Sequence, residues 1–219
     1  MAKNFGKVLA GLLAASAMTA SASAIDFLHA NTERQVNWGN VYALQNLDAF
    51  WLGGNLRAAS VALGNNMSIT TEGSSWIMLT QVQLGDVGAE LKAKVKNVAG
   101  DVDLSSTAIC NNISTSTTNS AETHVGSDQR CETEDPYAIT NVSAVGIGGN
   151  LDISAAAVAN NASFSAESAR FSVSSTQINP GLVVATVNAR IADVGGDVAV
   201  NATAIGNNLT INHSFGGTP

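Results

Sequence analysis

The chain has 219 residues, of which 45% are hydrophobic and only 12% are charged. Its 17 acidic and 10 basic residues give a net charge of −7, which argues against a nucleic-acid-binding protein because phosphate recognition needs clustered basic charge. The high apolar content argues against a disordered chain, and the low charged fraction is unlike that of an average globular enzyme.

The first 24 residues have the pattern of a secretory signal peptide. Lys3 and Lys7 supply the basic region, an apolar run follows, and residues 22–24 offer an A-x-A cleavage site. The apolar run is too short for a membrane-spanning helix, which needs about 20 residues. We therefore predict a signal peptide at residues 1–24, export by the Sec pathway, no transmembrane segment, and a single mature domain of residues 25–219.

The mature domain repeats itself about every 47 residues. The clearest marker is a recurring Gly-Gly or Ala-Gly pair, whose second glycines are spaced 46, 49 and 47 residues apart. These glycines are Gly54, Gly100, Gly149 and Gly196. A glutamine stands nineteen residues before three of these glycines. In the third unit, the same count back from Gly149 reaches Arg130 instead. The approximate units are residues 35–80, 81–129, 130–176 and 177–219.

Apolar and polar residues alternate after each glycine pair, which predicts β-strands. In the first unit the apolar or small positions are Leu56, Ala58, Ser60 and Ala62. We predict an all-β fold, a β-solenoid (β-helix) of about four 47-residue repeats. A unit of this length accommodates two coils of about 23 residues, so the expectation is eight stacked coils.

Each unit continues with Gly-Asn-Asn or a variant of it, where the alternation changes phase. Because Gly and Asn tolerate left-handed backbone, we interpret the motif as a corner at which the strand bends and restarts. The paired asparagines predict amide ladders along the solenoid axis. These are Asn65, Asn66, Asn111, Asn112, Asn160, Asn161, Asn207 and Asn208.

A second polar position follows each glycine pair. Asp101 and Asp197 stand where Asn55 and Asn150 stand in the other units. Interchange of Asp with Asn indicates a role in the turn rather than a catalytic carboxylate, because both side chains supply an oxygen acceptor to nearby backbone.

The two cysteines, Cys110 and Cys131, predict one disulfide in an exported protein. It would close a polar loop over residues 111–130. Two free thiols or a metal site are the alternatives, although His124 is the one histidine nearby. The acidic residues of segment 128–135 offer oxygen ligands for Ca²⁺, but a solvated loop is the simpler interpretation. We predict no metal and no cofactor.

The sequence contains no nucleophile elbow, metal-binding histidine pair or phosphate loop, so we predict that the protein is not an enzyme. Lys92, Lys94 and Lys96 alternate along one strand. They form either a binding surface for an anionic polysaccharide or a charged guard against misassociation.

Three tryptophans lie in the first third of the mature chain. They would either stack on sugars or close the N-terminal end of the solenoid, and the closing role is the favoured interpretation. They are Trp38, Trp51 and Trp76.

The motif Gly-Asn-Asn-x-[Ser/Thr]-[Ile/Phe], spaced between alternating strands, resembles the repeats of curlin-type subunits, which are secreted fibre proteins of bacterial surfaces. Segments 64–66 and 206–208 match best, and Gln35, Gln81 and Gln177 are the candidate ladder glutamines. The chain also resembles the fibre-like proteins that anchor bacterial holdfasts. This resemblance implies a β-solenoid with extracellular self-assembly or adhesion.

Together these features predict an exported structural protein, a self-assembling subunit of an extracellular fibre or a surface adhesin. The expected partners are copies of the chain itself, because an open solenoid end presents unpaired backbone groups that a second copy satisfies. A polysaccharide and an outer-membrane secretion partner are further expected partners, whereas nucleic acid is not. The alternative is a monomeric secreted β-solenoid that binds polysaccharide or a cell-surface partner.

Overall fold

The computed structural model describes residues 18–21, 29–132 and 136–215, with the backbone alone described for 18–21 and His29. Within these residues every regular element is a β-strand. The strands are β1 (Met18–Ser21), β2 (His29–Asn37), β3 (Val41–Leu52), β4 (Leu56–Glu72), β5 (Ser75–Gln83), β6 (Val87–Val98), β7 (Val102–Cys131), β8 (Tyr137–Ile147), β9 (Leu151–Ile178), β10 (Val184–Val194) and β11 (Val198–Ser214). Apart from β1, the predicted signal peptide lies outside the described residues.

All strand pairs are parallel, and they line three sides of the molecule. The first side contains β2, β5 and the second halves of β7 and β9. The second side is a separate sheet in the order β10-β8-β6-β3. The third side contains β1, β4, the first halves of β7 and β9, and β11. The prediction of an all-β fold is confirmed, and the parallel stacking is that of a β-solenoid-like chain.

One passage around the three sides takes a whole unit of the sequence repeat. Leu56 lies beside Val102, 46 residues later, and Val102 lies beside Leu151, 49 residues later. The expectation of two coils of about 23 residues per unit is therefore wrong. Four stacked strands at the usual spacing give an axial height of about 14 Å between the first and last strand, and about 19 Å per copy in a continuous stack.

The Gly-Asn-Asn segments lie inside long strands rather than between short ones. In β4 the buried positions run from Leu56 to Gly64 with period two and resume at Asn65 with the opposite phase. Two neighbouring residues thus face inward, and the ladder of backbone pairs continues on both sides of them. The change of phase that the sequence shows is present, but the strand does not end and restart there.

Three apolar clusters fill the interior. The first lies between the second side and the start of the third, with Leu91 and Leu104 fully buried. The second is built mainly from alanines and contains the cysteines, and the third contains Ile113 and Phe164. Each large aliphatic side chain that is fully buried contributes about 1.5–3 kcal/mol, so the two leucine- and isoleucine-rich clusters supply most of the hydrophobic stabilisation.

Candidate functional site

A ladder of buried asparagine amides crosses the interior along the axis of the stack. The Nδ2 of Asn65 donates to Asn111 Oδ1 at 2.9 Å, and Asn111 donates in the same way to Asn160 at 2.8 Å. Asn160 in turn donates to Asn207 at 2.8 Å. Asn111 and Asn160 are fully buried, so water cannot replace the hydrogen bonds between these amides. A buried polar group that loses its partner costs about 1–3 kcal/mol. The ladder thereby fixes the register of neighbouring strands.

The second asparagine of each pair forms a ladder with the opposite direction. Asn208 donates to Asn161, Asn161 to Asn112, and Asn112 to Asn66, each at 2.7 Å from Nδ2 to Oδ1. The two ladders start from adjacent residues of the same strands, but their side chains leave the strand on opposite sides. Hydrogen-bond donors therefore point to the C-terminal end in one ladder and to the N-terminal end in the other.

A glutamine ladder lies against the asparagine ladders. Gln81 Nε2 donates to Gln35 Oε1 at 2.8 Å and also to the backbone oxygen of Asn112 at 3.0 Å. The ladder continues through Gln129 to Gln177. The third member is Gln129, so the assignment of Arg130 to this position was wrong. The cause is one additional residue between Cys131 and Tyr137, which shifts the count back from Gly149 by one.

The polar residues after the glycine pairs connect successive layers through the backbone. Asn55 Oδ1 accepts a hydrogen bond from the backbone N–H of Asp101 at 2.9 Å, and Asp101 Oδ1 accepts one from the N–H of Asn150 at 2.8 Å. A Cβ on Gly100 would collide with Asn55 Oδ1, which explains the second glycine of the pair. Asn and Asp interchange here because each supplies the same acceptor.

Cys110 and Cys131 are joined by a disulfide, with their Cα atoms 5.9 Å apart. Both are fully buried in the second apolar cluster, so the bond crosses the interior from the third side to the first. The segment between them is not a polar loop, because residues 102–131 form the single strand β7 and residues 123–131 pair with β5. The disulfide therefore ties the first half of β7 to the end of its second half across the interior.

Among the described residues, no strand covers the C-terminal end of the stack. β11, which we call the terminal strand, pairs with β9 on one side and with no described strand on the other. Its core-facing residues Val198, Val200, Leu209 and Ile211 are 44–48% exposed. Their neighbours in β9 are at most 1% exposed. At the opposite end β1 lies along residues 67–70 of β4.

The outward face of the second side forms a groove of about 950 Å³, which we call the basic groove. The charged and amide side chains that line it include Asp48, Lys92, Lys94, Asn141, Asn188 and Arg190. Lys92 forms an ion pair with Glu90 at 2.9 Å, whereas no ion pair involves Lys94 or Arg190 among the described residues. Burial raises the pKa of nearby Tyr137, and the negative charges of Glu90 and Asp86 raise it further.

The three tryptophans do not share a surface. Trp38 lies between β2 and β3, and Trp51 lies near the end of β3. They are 79% and 80% exposed, so they do not cover the core and the closing role is wrong for both. Trp76 lies on the first side, where its ring centroid is 4.8 Å from that of His124.

Within residues 18–21, 29–132 and 136–215 no group of three or more His, Cys, Asp or Glu side chains is arranged to hold a metal ion. Two acidic residues of the suggested Ca²⁺ segment, Glu134 and Asp135, lie outside the described residues. Asp128 pairs with Arg130 at 3.0 Å, and this hydrogen-bonded carboxylate raises the pKa of the arginine. The same part of the chain has no helix long and apolar enough to cross a membrane.

Parallel stacked strands and internal amide ladders define the class of this molecule, a protein with a β-solenoid-like fold. The model of the family described as HfaD, holdfast attachment protein D, matches residues 13–216. The chain belongs to this family and is a bacterial surface attachment protein of the cell surface or extracellular space. No curated protein and no solved structure matches it. The likeness to curlin-type subunits stays a resemblance of the repeats.

Proposed function

We propose that the protein is exported and that its copies stack end to end into a fibre that serves surface attachment. The observation that carries the proposal is the terminal strand, whose core-facing side chains are half exposed. An outer-membrane secretion partner would deliver the chain, and the fibre would be a homopolymer.

The apolar residues of the terminal strand match those of the strand on which a second copy would stack. Leu209 and Ile211 continue the rows that contain Met67 and Ile69 in β4. A neighbouring copy placed one layer further along the axis would cover them as β11 covers β9. Burial of these side chains favours association, since the hydrophobic gain is proportional to the apolar area removed from water.

The amide ladders give the joint a direction. At the C-terminal end, Asn207 carries the donor of its ladder, and Asn208 and Gln177 carry acceptors. At the N-terminal end the roles are reversed, because Asn65 donates inward and Asn66 and Gln35 accept from within. A head-to-tail joint therefore joins each donor to an acceptor, whereas a head-to-head joint brings like groups together. Repeated head-to-tail contacts generate an open filament rather than a closed dimer.

Residues 18–21 support control of assembly by export. Their strand β1 pairs with Met67–Thr70, the edge that the neighbouring copy's terminal strand would occupy. The predicted cleavage after Ala24 removes β1 and opens this edge. A precursor that keeps the leader is expected to polymerise more slowly than the cleaved protein.

Negative-stain electron microscopy of the exported, oxidised protein at neutral pH and moderate salt tests the proposal. We expect unbranched filaments to which each copy adds about 19 Å of length. The variant Leu209→Asp/Ile211→Asp should form none, because it places two charges in the joint. Val61→Asp, which alters an outward-facing residue of β4, is the matched control and should still form filaments.

Discrete particles at high concentration, even after addition of seeds, would overturn the stacking proposal. A Cys110→Ser/Cys131→Ser sample beside the wild type shows whether filament formation depends on the disulfide. The alternative function, a monomer that binds polysaccharide, would then become the better account. The scattered tryptophans do not favour that alternative, but the basic groove does.

A further inference from the structure

We propose that the basic groove binds a carboxylate-bearing polysaccharide. The groove runs along the side of the stack, so the proposal does not depend on whether copies join at their ends. It names a partner class for an attachment protein that the family assignment leaves open.

The charge distribution is the first argument. All three lysines of the described residues lie on β6 at alternate positions, and all three face outward and are exposed. Successive outward residues of a strand lie about 7 Å apart, and Arg190 lies two strands away, at about 10 Å. The chain as a whole carries −7, so this concentration of cations runs against its overall charge.

The position of β6 in its sheet is the second argument. A lysine row guards a strand that forms the edge of a sheet, because an edge exposes unpaired backbone groups. β6 is an internal strand with β3 on one side and β8 on the other, so it has no such edge to protect. Lys94 and Lys96 have no ion-pair partner within 4.0 Å among the described residues, and their mutual repulsion opposes folding. A bound polyanion would relieve this repulsion.

The neutral residues of the groove indicate a sugar polymer. Asn188 donates to Asn141 at 2.9 Å, and Asn141 donates to Glu90 at 3.3 Å, which leaves a row of partly exposed amides beside the lysines. Amides and hydroxyls bind the hydroxyl groups of a sugar while the lysines bind its carboxylates. Nucleic acid fits less well, because the groove lining offers no aromatic side chain on which bases stack.

In the proposed stack of copies, the basic groove would continue from one copy to the next. The groove spans all four strands of the second side, including the two that end the sheet, β3 and β10. In a head-to-tail stack, β10 of one copy would lie beside β3 of the next, so successive grooves would align. A long polysaccharide would then bind many copies at once, and the avidity would exceed the affinity of one groove.

The test is a titration of the purified chain with alginate oligomers, a polyuronate, at a protein concentration without filaments. Lys92→Gln/Lys94→Gln, which removes both lysines of the groove lining, is expected to lower the affinity about tenfold, since each screened pair contributes up to roughly a factor of five. Arg57→Gln/Arg170→Gln removes the same charge outside the groove and is expected to change the affinity less than about twofold. Asp48→Asn, which removes the carboxylate in the groove lining, should strengthen binding.

Neutral dextran and a DNA duplex are the comparison ligands. Absence of alginate binding, an equal loss in the Arg57/Arg170 variant, or tighter binding of the duplex would each overturn the proposal. Circular dichroism establishes that the variants are folded. Microscopy separates the two proposals. Intact filaments of Lys92→Gln/Lys94→Gln with weakened alginate binding would support the groove assignment, whereas wild-type filaments that bind no alginate would overturn the groove assignment alone.

Discussion

Residues 151–167 of β9 and the terminal strand β11 have the same sequence pattern and pair residue by residue. In β9 the core-facing Ile153 and Phe164 are fully buried, whereas their partners Val200 and Ile211 are 47% and 48% exposed. The difference does not come from the residues, because both strands alternate apolar and polar positions. It comes from neighbours, since β9 lies between two strands and β11 beside one. The inner strands of such a stack are therefore covered on both sides, whereas the terminal strand leaves its apolar residues half exposed.

The largest effect should come from truncating matched core residues of the two strands. Phe164→Ala is expected to lower the free energy of unfolding by about 3–5 kcal/mol, because it leaves a cavity in the third apolar cluster. Ile211→Ala should cost about 1 kcal/mol or less, because half of the side chain is already in water. Urea unfolding of both variants at a concentration without filaments measures the difference. Equal losses would contradict the comparison.

The disulfide should be the next largest contribution. It closes a loop with a sequence separation of 21, so Cys110→Ser/Cys131→Ser is expected to cost about 3 kcal/mol. Chemical unfolding of the variant and of reduced wild-type protein should give the same loss. A variant as stable as the oxidised protein would show that β7 keeps its path across the interior without the bond.

The asparagine ladder offers a smaller, matched comparison. Asn111→Ala leaves Asn65 and Asn160 without their amide partner in the interior, and the expected cost is about 1–3 kcal/mol. Asn207→Ala at the exposed end should cost about 0.5 kcal/mol or less but should slow filament growth. Thermal unfolding and a light-scattering growth assay measure the two effects. If both variants unfold at the same temperature, burial does not set the strength of the ladder.

The smallest expected effect is that of salt on growth at the open end. Without the predicted signal peptide, which contains Lys3 and Lys7, the chain would have 8 basic and 17 acidic residues, a net charge of −9. Like-charged copies repel each other, so the growth rate should rise several-fold between about 0.01 and 0.15 M salt. A rate that does not change over this range would mean that charge has no part in the approach of two copies.

The repeat and the strand alternation could be read from the sequence because both are local patterns. Period-two alternation identifies strands, and the spacing of the glycine pairs equals the spacing of paired residues in the sheets. The asparagine pairs were candidates for ladders because identical residues recur at that spacing. Gln129 was missed because a single extra residue before Tyr137 changes the count without changing the local pattern.

Only the tertiary structure decided how the strands close into a layer. The sequence does not show whether the phase change at Gly64–Asn66 is a corner or two inward neighbours within one strand, because both give the same alternation. It also does not show that residues 111–130 form strand rather than loop, since polar Ser and Thr side chains satisfy each other only when the strands are stacked. Composition and periodicity thus determined the elements, whereas the contacts between layers determined the path of the chain. The gathering of Lys92, Lys94 and Arg190 into one groove likewise depends on which strands become neighbours.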